Sequence, residues 1–300
     1  MKPRLSPFLA AMALLLGAAM AVAQIERPIF LDKQGRALPI QSDEDIQRFL
    51  RTAPVTDSRP VGEGITEAEK LDLQQNDIRA RAIFHDINKL ETKIRIMPNG
   101  RTRGYRRDSY TSQIASYELG RMLEVPNIPP TAPRKFNSLD GSAQLWIENA
   151  MTEQDRQERG IEPPGWPLWN QLYADMRVFD NLINNIDRNT GNMLFDSQGH
   201  LWLIDHTRSL GRDKTLPHPE TITRCSNRLY QAIMNLDEDE VERKMKAMKL
   251  LAPGEITAIF HRRTELLEKI DDRIRTLGAA SVLFDYGDRE PGVEVNEDAG

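Results

Sequence analysis

The stretch Phe179-Asp180-Asn181-Leu182-Ile183-Asn184-Asn185-Ile186-Asp187-Arg188-Asn189-Thr190-Gly191-Asn192-Met193-Leu194-Phe195, closed by Leu201-Trp202-Leu203-Ile204-Asp205-His206, decides how this chain folds. Trp166 to Ile186 is largely helical in its spacing, and the chain then loops through Asp187, Arg188, Asn189 and Gly191. Asn192 precedes an apolar strand, Asp196-Ser197-Gln198-Gly199 makes a turn, and Leu201-Trp202-Leu203-Ile204 leads back to Asp205. A hairpin over Asn192 to Asp205 brings those two side chains to one end, with Asp187 at the end of the preceding helix. Turn formation alone explains Asp187, Asn189 and Gly191. It leaves unexplained a second acid after a buried-looking strand and an Asp-Arg pair between apolar runs. A calcium loop starting at Asp187 fails, because its sixth and twelfth places need Gly and Glu and hold Asn192 and Gln198.

Upstream, Lys70 to Leu73 alternates, Gln74 to Asp77 turns, and Ile78 to His85 alternates again. This is an antiparallel hairpin, with Gly62 and Gly64 in the turn just before it. Lys89 to Tyr110 is rich in Lys and Arg and reads as a loop or ragged hairpin. Ile114, Tyr117, Leu119, Met122 and Leu123 mark a helix that stops before Pro126, and Leu145-Trp146-Ile147 reads as a strand. Nearer the start, Ser42 before Asp43-Glu44-Asp45 opens a short helix with Ile46, Phe49 and Leu50 on its apolar face. Pro54 and Pro60 then break the chain. Beyond Pro217 everything reads as helical: Arg224 to Leu236, Asp239 to Leu250, and Gly254 to Leu277 opened by Pro253. Trp146, Trp166, Trp169 and Trp202 read as core, and Glu238 to Lys249 as a solvated helix face with spaced opposite charges.

The 300 residues, 39% of them hydrophobic, are enough for a substantial core. Lys2 and Arg4, an apolar run from Leu9 to Ala19, and Ala21-Val22-Ala23 together predict a signal peptide over residues 1–23. The run is shorter than the roughly 20 residues a membrane span needs, so no transmembrane span is expected in the mature chain. Cleavage near Ala23 predicts a periplasmic or extracellular protein. It also removes two positive charges, taking the net charge from −5 to −7. Such an acidic chain is a poor nucleic-acid binder. Cys225 is the one cysteine, which excludes an intramolecular disulfide and any zinc site built on several cysteines. The expected organisation is a signal peptide (1–23), an N-terminal extension (24–60), a strand-rich lobe with one helix (61–148), a mostly helical lobe (149–285) and a disordered acidic tail (286–300).

Phosphoryl transfer needs a carboxylate beside the acceptor hydroxyl, and an amide oxygen and a carboxylate to hold divalent metal on the nucleotide phosphates. Asp187, Asn192 and Asp205 meet those needs in the chain order that kinases use. The fold class expected is α+β, a bilobal protein-kinase-like fold. Ile183 to Leu210 resembles the catalytic and metal-binding loops of atypical kinases: the HipA-like kinases, the phosphatidylinositol 3-/4-kinases, and the secretory-pathway Golgi casein kinase and Four-jointed family. In that set Asp-Arg marks the catalytic loop and Ile-Asp plus a residue other than Phe replaces Asp-Phe-Gly, as in Asp187-Arg188 and Ile204-Asp205-His206. Tyr117 to Pro126 with Ile128-Pro129-Pro130 is similar to the helix and strand entry of the secretory kinases. Gln144 to Glu148 is similar to the strand before their interlobe hinge. The resemblance spans about residues 60–275.

The resemblance implies ATP with Mg²⁺ or Mn²⁺ as cofactors, Asp187 as the catalytic group, and Asn192 and Asp205 as metal ligands. It places His85 and Gln113 where such kinases carry a strand Lys and a helix Glu, and Glu148 at the hinge. Neutral His85 and Gln113 are expected to keep a hydrogen bond in place of that ion pair. Gly62 and Gly64 are turn formers or part of a phosphate-covering loop. Arg208 and His206 flank Asp205, to meet a substrate phosphate or to satisfy loop carbonyls. The implied function is an exported atypical kinase transferring the γ-phosphoryl group of ATP to a hydroxyl of a protein, sugar or lipid headgroup. The alternative is a pseudokinase that binds nucleotide or a partner, because both clamp positions are replaced.

Overall fold

The computed structural model describes residues 29–61, 68–91, 95–96, 102–103, 106–162 and 168–287. The signal segment, Gly62, Gly64 and Trp166 lie outside the described residues. After a strap over residues 29–41 comes α1 (Asp43–Thr52). The Ser42 hydroxyl accepts from the Asp45 N–H at 3.2 Å, and three acids sit in the first turn, where the helix dipole favours them. Ile46, Phe49 and Leu50 are buried.

The first lobe is built on β1 (Val55–Pro60), β2 (Glu69–Gln75) and β3 (Ile78–His85), an antiparallel meander. Leu71, Leu73, Ala80, Ala82 and Phe84 turn to the core, while Lys70, Asp72, Arg81 and Ile83 take the other face. Asn76, at φ +53°, makes the two-residue turn between β2 and β3, a conformation Asn tolerates. The basic stretch forms the ragged hairpin expected of it: β4 (Asn88–Glu91) pairs with β7 (Arg106–Ser109), and β5 (Arg95–Ile96) with β6 (Thr102–Arg103). Then follow α2 (Tyr110–Met122), β8 (Thr131–Phe136) and β9 (Leu139–Leu145). The five-stranded sheet runs β1-β2-β3-β9-β8, all antiparallel. The strand expected at Leu145 to Ile147 therefore ends earlier. The Trp146 N–H closes it on the Arg81 carbonyl at 2.9 Å, and the chain then leaves the sheet. Gly141 is required in β9, because a Cβ there would collide with the His85 carbonyl and the Phe84 ring.

The second lobe comprises β10 (Met151–Thr152), α3 (Glu153–Glu158), α4 (Leu168–Leu182), β11 (Met193–Phe195), β12 (Leu201–Leu203), β13 (Cys225–Ser226), α5 (Asn227–Met234), α6 (Glu238–Ala247), α7 (Pro253–Leu277), α8 (Ala279–Val282) and β14 (Leu283–Phe284). β10, β11 and β12 form an antiparallel sheet. The region beyond Pro217 is not wholly helical, contrary to its apolar spacing, since β13 and β14 pair in parallel. Buried Asp175 explains this. It accepts from the Ser226 N–H at 2.8 Å, from the Ser226 hydroxyl at 2.6 Å and from the Tyr286 hydroxyl, gathering both strands on α4. Tyr286, expected to open a disordered tail, is thus buried. Residues 288–300 lie outside the described residues.

Two apolar cores result, and each borrows from the other side. Phe30, Leu38, Ile46, Phe49 and Leu50, from the expected extension, fill the core under the five-stranded sheet. Trp202 of β12 joins them, its ring centroid 5.6 Å from that of Phe30. Conversely, Ile114, Tyr117 and Leu119 of α2 belong to the core of the second lobe. Among the described residues no helix is long and apolar enough to cross a membrane.

Arg262 of α7 is wholly buried. Its Nε donates to the Leu182 carbonyl at 2.8 Å, and Nη1 reaches the carbonyls of Asp213 and Gly211. Burial brings its pKa down to about 10. The side chain thereby caps the end of α4 and holds the segment after Asp205 against it. Arg262→Met leaves those carbonyls unpaired, and a loss of about 2–4 kcal/mol in urea-unfolding free energy is expected; unchanged stability would refute this capping role.

Candidate active site

α4 ends at Leu182, and Asn184, at φ +53°, turns the chain into the loop that ends at Asn192. Arg188 organises this loop from beneath. Its Nε and Nη2 donate to the two oxygens of Asp180 at 2.8 and 3.1 Å, a bidentate pair at the end of α4. Nη1 donates to the carbonyls of Asn192 at 2.5 Å and Ile204 at 2.9 Å, and Nη2 also meets Nε2 of His206 at 2.9 Å. One guanidinium thus joins the loop to both ends of the β11–β12 hairpin.

On that frame Asn192 and Asp205 share one cleft, and Asp187 joins Asn192 through its backbone carbonyl. The Asn192 amide Nδ2 donates to the Asp187 carbonyl at 3.0 Å, and the Ile204 N–H donates to the Asn192 carbonyl at 3.2 Å. Asn192 and Asp205 both line one cleft between the lobes. With Nδ2 occupied, the Oδ1 of Asn192 has no protein partner among the described residues. Asp205 has φ +52°, a strained conformation outside glycine. The Thr207 hydroxyl donates to its Oδ1 at 2.8 Å, which leaves Oδ2 open. Asp187 stands just outside the cleft wall, one-third exposed, and its Oδ2 accepts from Arg208 Nη1 at 3.0 Å. Among the described residues no three His, Cys, Asp or Glu side chains form a metal cage. The site offers one amide oxygen and one carboxylate, the oxygen ligands that a small divalent cation shares with phosphates.

The cleft has a volume of about 280 Å³. Ile83 and His85 line it from β3, Gln144 to Ile147 from β9 and the linker, and Thr152, Leu194 and Ile204 from the second lobe. His85 is buried, and desolvation lowers its pKa against the opposing pull of Asp205, Asp108 and Asp86. The hydrogen bond expected between His85 and Gln113 is absent. The buried Gln113 instead uses its Oε1 to accept from the His206 N–H at 2.6 Å, and its Nε2 has no partner. Glu148 lies outside the cleft wall, because its carboxylate is taken by Arg81, with Nε at 2.6 Å. Trp146, expected in the core, lines the cleft, and the Lys70 ammonium lies 3.3 Å from its ring centroid. Sequence reasoning offered Arg79, Arg81 or Lys89 as substitutes for the strand Lys; Arg81 is instead paired with Glu148, and Lys70, which it missed, sits over Trp146. The signal for Lys70 was the outward face of the β2–β3 alternation, which a cleft covers as readily as solvent does.

His206 is fully buried, and burial, with Arg188 beside it, holds its pKa well below 6.5. Both His85 and His206 therefore stay unprotonated in the native protein at pH values where the unfolded chain takes up protons. Stability contributed by the neutral rings is present above about pH 6.5 and falls as the pH drops below it. Urea midpoints should decline from pH 7 to pH 5, with a shallower slope in His206→Asn. An equal slope in both proteins would contradict the burial argument.

No protein-family model matches the sequence, and no curated protein is similar to it. Solved structures are similar in fold. Hydra Fam20 with sugar superposes with a TM-score of 0.58 at 14% identity, covering 85% of this chain and 95% of its own. The Golgi casein kinase gives 0.56 at 16% identity, covering 84% and 80%, and has also been solved with Mn/ADP bound. The Helicobacter pylori proinflammatory kinase CtkA gives 0.50 at 12%, covering 76% and 97%. The chain has a bilobal, kinase-like fold.

Proposed function

We propose that this chain is an exported, ATP-dependent phosphotransferase acting on a hydroxyl acceptor. The observation that carries the reading is the pair of unpartnered oxygens, Asn192 Oδ1 and Asp205 Oδ2, at one cleft, with the Asp187 backbone carbonyl held by the Asn192 amide. A Mg²⁺ or Mn²⁺ ion, when bound, neutralises nucleotide phosphate charge there. The donors present suit such an ion, since both are oxygens and neither is consumed by the protein. Asp187 keeps one carboxylate oxygen for the acceptor hydroxyl, orienting it or taking its proton. Arg188 fixes the spacing between that carboxylate and the cleft. Ile83, Leu145 and Ile147 supply apolar surface for a nucleobase. Export rests on the leader over residues 1–23, and the presence of a Golgi casein kinase among the fold neighbours agrees with it. The acceptor is a protein, sugar or lipid-headgroup hydroxyl; the sugar in the hydra structure supports the second.

A pseudokinase is the second reading. It is favoured by a specific observation: no Lys or Arg lines the cleft among the described residues, and His85 stands at the clamp position as a neutral ring. Two substitutions separate the readings. ATP with Mn²⁺ should raise the melting temperature of the wild type, and Asp205→Ala should abolish that shift. Asp187→Ala should keep the shift while turnover of labelled ATP falls by about 10²–10⁴-fold. A wild type that is stabilised but transfers nothing to water, to itself or to generic protein and sugar acceptors is a binding module. A wild type with no metal-dependent shift ends both readings.

A further inference from the structure

Several carboxylates gather around His85 and Arg208. Asp205 lies in the cleft wall, Asp187 just outside it, Asp108 on β7 and Asp86 directly after β3. Arg208 bridges two of these. Its Nε donates to Asp108 Oδ2 at 2.9 Å and its Nη1 to Asp187 Oδ2 at 3.0 Å. It also lies within electrostatic reach of Asp205. The backbone secures the same junction, since the Ser109 N–H donates to the Thr207 carbonyl at 3.0 Å. Of the two basic residues that follow Asp205, His206 is buried and held by Arg188, whereas Arg208 is one-third exposed.

A nucleoside triphosphate carries more negative charge than one divalent ion removes, and the cleft wall itself provides no Lys or Arg among the described residues. Further positive charge has to come from outside that wall. Arg208 is bonded to Asp187, the proposed acceptor-side carboxylate, and interacts electrostatically with Asp205 of the cleft wall. The guanidinium has five N–H donors in a planar fork. Nε and Nη1 are used, and Nη2 makes no hydrogen bond among the described residues. We infer that Arg208 contacts the terminal phosphate of the bound nucleotide, held for that contact by Asp108 and Asp187. The inference rests on the proposed function and adds to it a residue that distinguishes a triphosphate from a diphosphate. A lysine in its place would carry the charge without the fork.

Isothermal titration in Mn²⁺ with ADP and with the non-hydrolysable triphosphate AMP-PNP tests this without requiring turnover. The wild type should bind AMP-PNP more tightly than ADP. Arg208→Gln should weaken AMP-PNP about tenfold or more, the scale of a lost charge-assisted hydrogen bond, and leave ADP unchanged. Unchanged ADP binding also certifies that the variant is folded. Arg208→Lys should fall between them. A preference retained in Arg208→Gln, or equal losses for both nucleotides, overturns the assignment of Arg208 while the kinase-like reading stands. A wild type that binds neither nucleotide overturns that reading and this one together.

Discussion

The largely enclosed guanidinium of Arg188 sets the geometry on which the site depends. Taking an Arg and its carboxylate partner out of water is costly, and the cost is offset only when every donor finds an acceptor. Here Asp180 takes one edge of the fork, the carbonyls of Asn192 and Ile204 take another, and His206 accepts from a third position. Those acceptors lie on four different parts of the chain: the end of α4, the start of β11, the residue before Asp205, and the residue after it. The Asn192 amide and the Ile204 N–H tie the same loop to the hairpin, but only Arg188 reaches Asp180, the loop and both sides of Asp205 at once.

The first lobe meets this frame through α2, which is held from three directions. Glu118 on its buried face accepts from Gln47 of α1 at 2.7 Å and pairs with Lys244 of α6 at 2.6 Å. Gly120 lets the helix approach Ile128 so closely that a Cβ would lie 2.6 Å from the Ile128 Cδ1. With α2 fixed in this way, Gln113 is aimed at the His206 backbone rather than at His85. The helix thus acts on the segment after Asp205 and leaves the cleft wall to β3 and β9.

The loop and hairpin were legible in the sequence because turn chemistry and strand alternation are local. Asp196, Gly199 and the flanking apolar triplets admit few backbones, and the kinase-like fold followed from their order. What escaped was non-local or masked. β8 carries Pro133, Arg134 and Lys135, so its alternation is hidden, although Pro is at ease on an edge strand. β1 lies just after Pro54 and ends on Pro60, which read as breaks. Gln113 was placed correctly on a helix, but buried positions surround α2 on nearly every side, so its partner had no periodic signal. The pairing of Arg208 with Asp108, and of Arg81 with Glu148, joins residues far apart in sequence, and no spacing rule anticipates such partners.

The exchange of Trp202 and α2 between the cores has a consequence for how the polypeptide acquires its shape. The apolar socket around Phe30, Phe49 and Leu50 stays incomplete until an indole supplied some 170 positions later arrives. A nascent segment that stops short of β12 therefore presents an open greasy surface, and a chain severed in the linker after Ile147 gives two fragments that each lack a piece of their own interior. Neither interior is complete without residues from the other half of the chain.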